Sequence, residues 1–226
     1  MSAGVLFIHG AFHGDWCWEK VVPLLAAGGV TAECIDLHRG SREADIQATQ
    51  AHVNRLHGAG HVVIPVGHSL GCFVVAALDP ATVAHGVFLA GPLLGPGTPP
   101  IGEAILPAFG EAVSYHEDGT MTVSDEGARE IFYHDCAEAD AHSAVSRLRP
   151  NVGYGGDPDA ERPVWRVVPS TYLVCEDDRV LSPDYQRKLA ALCTRSESFA
   201  TGHSPMLCAP QALADALLRS AATLDA

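Results

Sequence analysis

The run Val62–Leu78 limits what this chain can fold into more than any other stretch. Val62, Val63, Ile64, Pro65 and Val66 are a short apolar run, which predicts a strand over His61–Val66 buried on both faces. Gly67-His68-Ser69-Leu70-Gly71 follows and fits G-x-S-x-G. Cys72–Leu78 is again apolar and rich in alanine, as a buried helix would be. The pentapeptide alone recurs by chance in glycine-rich turns; the flanking apolar runs give it the strand, sharp turn and helix of a nucleophile elbow. Glycine suits the two outer positions because strand and helix backbones approach closely there. Ser69 would stand at the apex, with the free N–H groups of the next helix aimed at whatever it attacks.

The rest of the chain supplies a sheet for that elbow. Val5-Leu6-Phe7-Ile8 predicts a first strand, ending in a loop over His9–Gly14. Asp15 is placed to cap a helix running to about Ala27, kinked at Pro23 and ended by Gly28-Gly29. A strand over Val30–Asp36, a helix over Glu43–Leu56 and a strand over His85–Ala90 follow. Strands alternating with helices mean a mostly parallel, doubly wound sheet covered on both faces. The alternation then breaks. Residues 91–168 open on a stretch dense in glycine and proline, and continue with helical candidates at Ile101–Glu111, Glu126–Asp135 and Ala139–Arg147. A surface loop is expected over Asp157–Pro163. So long a segment between sheet strands reads as an inserted, mainly helical cap. The division expected is therefore a core of 1–90 and 169–226, interrupted by a cap of 91–168. The sheet resumes at Thr171–Cys175, followed by a helix over Pro183–Leu192 and a strand over Glu197–Phe199. Ser204 can cap a final helix with Pro205 in its first turn, packing Leu207, Leu213, Leu217 and Leu218 on the sheet.

Composition removes several function classes. At 226 residues one domain with an insertion is expected. A net charge of −13 with no basic patch argues against a nucleic-acid partner. No run approaches the ~20 apolar residues that cross a bilayer, so no membrane role is expected. Met1-Ser2-Ala3-Gly4 leads into the first strand without a basic or apolar leader, so a cytoplasmic location is expected. The seven cysteines are scattered, odd in number and without a C-x-x-C pair, and read as reduced packing residues. His134-Asp135-Cys136 would suggest a metal only beside a second ligand cluster, and the sequence displays none, so neither metal nor cofactor is expected.

A serine hydroxyl needs a base to attack, and the base needs a carboxylate to orient it. On a sheet of this kind the order is serine, acid, histidine, each on a loop after a strand. His203 is the one histidine after the insertion, and it directly follows the last strand. The acid belongs to Glu176-Asp177-Asp178, where spacing leaves Asp177 and Asp178 open. Two N–H donors are needed for the oxyanion: Leu70, next to the serine, and Ala11, in the loop after the first strand. His9 and His68 are expected to pack rather than carry protons, while the sequence leaves His13 open.

The stretches HGAFHGDWCWEKVVPLL, GHSLG, STYLVCEDDRVLSPDYQRKLA and GHSPMLCAPQALADALL together resemble the α/β-hydrolase superfamily, and within it the plant methylesterase and hydroxynitrile lyase group with its bacterial relatives. The resemblance implies an α/β-hydrolase fold lacking the usual leading hairpin. It maps the nucleophile to Ser69 and the base to His203. It also selects Asp178 as the acid, three residues past the cysteine that ends the strand. It further implies cofactor-independent hydrolysis of a carboxylic ester of a small, rather apolar molecule through an acyl-enzyme. Homodimers are common in the group. The hydroxynitrile lyases carry threonine and lysine where this chain has Gly10 and Ser204, so departing cyanide would lack an ammonium partner. The alternatives are a lyase or other non-hydrolytic enzyme on the same triad, or a non-catalytic small-molecule receptor.

Overall fold

In a computed structural model, residues 2–38, 40–154 and 162–224 are described. The first half builds the sheet expected: β1 (Ala3–Ile8), α1 (Val22–Ala27), β2 (Thr31–Ile35), α2 (Arg42–Gly58), β3 (Val62–His68), α3 (Gly71–Ala76) and β4 (Gly86–Leu89). Between β4 and the next sheet strand lie α4 (Pro107–Ala112), β5 (Val113–Tyr115), β6 (Thr120–Val123), α5 (Asp125–Phe132), α6 (Glu138–Val145), β7 (Asn151–Val152) and α7 (Val164–Val167). The chain returns through β8 (Ser170–Cys175), α8 (Pro183–Ala190), β9 (Arg195–Phe199), α9 (Pro205–Cys208) and α10 (Pro210–Ala222). Strand order is β2-β1-β3-β4-β8-β9, and every pairing is parallel.

Strand period sorts the core into two layers. Val5 and Phe7 of β1 face one side, with Val66, Leu173 and the α10 residues Leu213 and Leu217. Leu6 and Ile8 face the other, with Val63, Phe88, Val174, Val53 of α2 and Leu189 of α8. Trp18 closes the first layer by stacking on Phe7 at 4.4 Å between ring centroids. Fully burying side chains of this size stabilises the fold by about 1.5–3 kcal/mol each.

Several expectations change in detail. The helix from Asp15 is a short 3-10 turn over Asp15–Trp18 followed by α1, so Pro23 falls in a first turn, where its missing N–H costs nothing, and no kink forms. The final helix is split in two: Pro210 cannot continue α9, and Ala209 leaves helical geometry at φ −139° and ψ 49°. Ser204 precedes α9 but makes no side-chain cap. The insertion is less helical than expected. It carries a three-stranded antiparallel sheet, β5-β6-β7, whose first hairpin turns at Asp118-Gly119 with Gly119 at φ +82°. The helix expected over Ile101–Glu111 is a 3-10 turn at Ile101–Glu103 and the separate α4, started afresh by Pro107. The loop expected at Asp157–Pro163 lies largely outside the described residues. All seven cysteines are free thiols. Among the described residues no helix is long and apolar enough to cross a membrane.

Candidate active site

Because the sheet strands are parallel, the loops after β1, β3, β8 and β9 all emerge at one edge. β1 and β3 are neighbours at the point where strand order reverses direction, which is where open α/β sheets gather ligands. The sequence-predicted residues sit on those loops: Ala11 after β1, Ser69 and Leu70 after β3, Asp178 after β8 and His203 after β9.

Ser69 has φ +50°, a left-handed conformation uncommon for a side chain with a Cβ. Its N–H donates to Leu89 O at 2.9 Å, and its carbonyl accepts from Cys72 N–H at 3.0 Å. The turn needs its glycines for space. A Cβ on Gly71 would lie 2.4 Å from Ile8 O, and one on Gly67 would lie 2.7 Å from Gly71 O. Both obstacles are backbone, so neither can swing aside.

Asp178 and His203 form a buried pair, 4 % and 1 % exposed, with His203 Nδ1 donating to Asp178 Oδ2 at 2.8 Å. The carboxylate is held at both ends. Oδ1 accepts the N–H groups of Val180 (2.7 Å) and Leu181 (3.1 Å), and Oδ2 also accepts Gln186 Nε2 (2.7 Å). Gln186 in turn accepts Cys175 N–H at 2.9 Å and donates to Leu181 O, so this fully buried amide fixes the acid to the end of β8. Asp177, by contrast, is exposed. With Nδ1 committed to Asp178, Nε2 of His203 is the nitrogen left to take a proton.

Three further histidines surround the pair. His68 Nε2 donates to His203 O at 2.8 Å, and the two rings stack obliquely at 4.7 Å. Burial, with the neighbouring His203 adding to it, pushes the His68 imidazole well below its ordinary range. His13 Nδ1 donates to Ala11 O at 2.7 Å, so its Nε2 accepts the Tyr133 hydroxyl at 2.8 Å. Burial pushes His13 down to about 3, and it is neutral. His9 Nε2 accepts Leu37 N–H at 2.9 Å, which puts its proton on Nδ1, where it donates to Gly10 O at 2.8 Å. These rings shape loops, as expected for His9 and His68. Tyr133 was missed because it lies in no recognisable motif and its partner is far along the chain, and Gln186 because nothing in the stretch around it marks a buried amide.

Ser69 and His203 line one cavity of about 160 Å³, together with Ala11, Leu70 and the apolar side chains of Phe73, Ile101, Ile105, Phe109, Met121 and Phe132. Among the described residues neither the Ala11 nor the Leu70 N–H has an acceptor, and Ser69 Oγ makes no hydrogen bond. Hydroxyl-to-imidazole contacts of this kind commonly tighten only when substrate is bound. Among the described residues no lysine or arginine lines this cavity. A larger hollow of about 790 Å³ lies over α4–α6, open and lined by Glu111, Glu126, Glu130 and Glu138; Tyr133 also lines it, but neither Ser69 nor His203 does.

A strained serine after a central strand and a carboxylate–imidazole pair on later loops of one parallel sheet together define a class of fold and site. The Alpha/beta hydrolase family matches residues 5–216, and the chain belongs to that family. Its curated relatives include a pheophorbidase of Raphanus sativus, 28% identical over 97% of this chain and 94% of its own length. Methylesterase 18 of Arabidopsis thaliana is 27% identical, with 97% of each chain covered. Among solved structures, tomato methylketone synthase I in complex with 2-tridecanone superposes with a TM-score of 0.83 at 21% identity, covering 99% of each chain. A methylesterase from Arabidopsis superposes with a TM-score of 0.77 at 22% identity, covering 98% of this chain and 99% of its own.

Proposed function

We propose that this chain is a serine esterase that cleaves a carboxylic ester of a small, apolar molecule through an acyl-enzyme. The observation that carries the reading is the buried 2.8 Å Asp178–His203 contact opening onto the same cavity as a serine held at positive φ. Ser69 Oγ attacks the ester carbonyl while His203 Nε2 takes its proton. Asp178 steadies the imidazolium through Nδ1–H, and the free N–H groups of Ala11 and Leu70 receive the carbonyl oxygen as its charge develops. His203 returns the proton to the departing alkoxide. Water, deprotonated by the same nitrogen, then releases the acid and restores Ser69.

The apolar lining and modest volume of the cavity favour a small, uncharged substrate. The insertion over 91–168 acts as a cap, because Ile101, Ile105, Phe109, Met121 and Phe132 wall the cavity from that side. The relatives named methylesterases support an ester substrate. Hydrolysis is favoured over cyanohydrin cleavage. The residue after His203 is Ser204, a buried hydroxyl, and among the described residues no lysine or arginine lines the cavity to receive cyanide.

The test is turnover of short-chain p-nitrophenyl esters and a panel of methyl esters by the wild type beside Ser69→Ala. Wild-type hydrolysis lowered on the order of 10⁴-fold or more in the variant is expected. Near-full activity in Ser69→Ala would remove the acyl-enzyme. A folded wild type that binds these esters without turning them over would replace the esterase with a receptor.

A further inference from the structure

Outside the active site, the fold brings Asp135, Cys136 and Cys208 together, although Cys208 lies 72 positions after Cys136. One ligand atom from each lies within 4.8 Å of the others. Asp135 and Cys136 follow α5, and Cys208 ends α9, the helix that begins just after His203. Cys208 is thus the second ligand source that His134-Asp135-Cys136 lacked when read along the chain.

We propose that these three groups form a site for a thiophilic divalent cation of the zinc or cadmium kind, fastening the insertion to the histidine loop. Asp135 Oδ2 accepts Gly202 N–H at 2.6 Å, which fixes the carboxylate much as outer hydrogen bonds orient metal ligands, and Oδ1 stands 4.0 Å from Cys136 Sγ. Ligand atoms around a tetrahedral zinc are about 3.5–3.8 Å apart, so closing the set needs only a small contraction. Asp135 has no ion-pair partner among the described residues; Arg179 pairs with Glu130, and Arg129 with Glu138. His134 is outside the set, and its Nε2 is bonded to Asp177 O at 3.1 Å. Two thiolates and one carboxylate leave the fourth position to water, on the exposed Asp135 side. The soft sulfur ligands select zinc or cadmium over magnesium or calcium. On binding, the metal–sulfur bonds replace two S–H bonds, and both protons pass to the buffer.

The experiment uses the reduced full-length protein, stripped with a chelator and titrated with Cd²⁺ while the thiolate-to-cadmium charge-transfer band is followed in the ultraviolet. One equivalent should produce the band, and Zn²⁺ should raise the melting temperature. Cys136→Ser and Cys208→Ser should each weaken Cd²⁺ binding at least tenfold and abolish the thermal shift, with ester turnover unchanged as the control for folding. Cys17, Cys72 and Cys175 are buried, and Cys34 and Cys193 lie outside the three-residue cluster. No band at one equivalent, or a band of undiminished affinity in either serine variant, would overturn the site.

Discussion

Replacing Asp178 by asparagine is the sharpest test of the catalytic geometry, because the change is nearly isosteric and its consequence can be read from the hydrogen bonds. The aspartate receives donors alone: Val180 and Leu181 N–H on Oδ1, and Gln186 Nε2 and His203 Nδ1 on Oδ2. An asparagine has one oxygen and one NH₂ to offer. With its oxygen toward Val180 and Leu181, the NH₂ faces the Gln186 amide and the histidine. His203 can then relieve the clash only by accepting at Nδ1, which moves its proton to Nε2 and removes the base. With the amide flipped, two backbone N–H groups face a donor and lose their acceptor. The fold should lose about 1–3 kcal/mol from the unpaired buried donor. The wrong histidine tautomer should lower kcat on the order of 10⁴-fold, about 5.5 kcal/mol in the barrier. The assay is p-nitrophenyl acetate hydrolysis, with circular dichroism to establish that the variant is folded. Asp177→Asn is the control, since that carboxylate is exposed and should be dispensable. A folded Asp178→Asn enzyme retaining more than a tenth of wild-type kcat, or an equal loss in Asp177→Asn, would refute the reasoning.

Gln186→Leu should strip one donor from Asp178 and orphan Cys175 N–H. Urea unfolding should show a loss of about 1–3 kcal/mol, and kcat should fall on the order of tenfold with KM unchanged; a fall in stability alone would make Gln186 structural only. Stability should also decline in mild acid. Burial holds His13 down to about 3 and His85 to about 4, and keeps His68 well below its ordinary value. Each stays neutral in the fold while the unfolded chain takes up protons below about pH 6.5, so the stability is whole above that pH and is lost as pH falls toward 4, by up to about 1.4 kcal/mol per pH unit per histidine. Equal urea midpoints at pH 7 and pH 5 would contradict this. Gly71→Ala, whose Cβ would meet Ile8 O at 2.4 Å, should cost about 3 kcal/mol or more, whereas Gly58→Ala, with nothing within 4 Å, should leave the melting temperature unchanged or raised; equal melting temperatures would show that the elbow can relax.

The sheet was legible because its strands are apolar runs bounded by turns, and because burial on both faces leaves little freedom in what such runs become. The positions of Ser69, His203 and the loop carrying Ala11 were legible for a related reason: each is fixed by its place after a strand. The insertion was harder. Its sheet is small, its strands are only partly buried, and the Asp118-Gly119 turn that announces the hairpin lies in a stretch with little hydrophobic pattern. Asp178 is buried and Asp177 exposed, a difference that adjacent carboxylates do not reveal in sequence; only family resemblance separated them there. Gln186, Tyr133 and the Cys136–Cys208 neighbourhood depend on contacts made across the fold, and no local pattern encodes those.

Three consecutive residues at the end of α5 each touch a different loop of the active site. Tyr133 reaches His13, and through it Ala11; His134 reaches the carbonyl of Asp177; Asp135 reaches the N–H of Gly202. The insertion and the loops that carry the proposed site are therefore joined like a keystone and its arch. Grafting a foreign insertion onto this scaffold, as one would to borrow another enzyme's selectivity, would remove the keystone together with the roof. A graft that preserved Tyr133-His134-Asp135 would change which molecules enter while leaving the loops in register, and one that discarded them would alter selectivity and rate together.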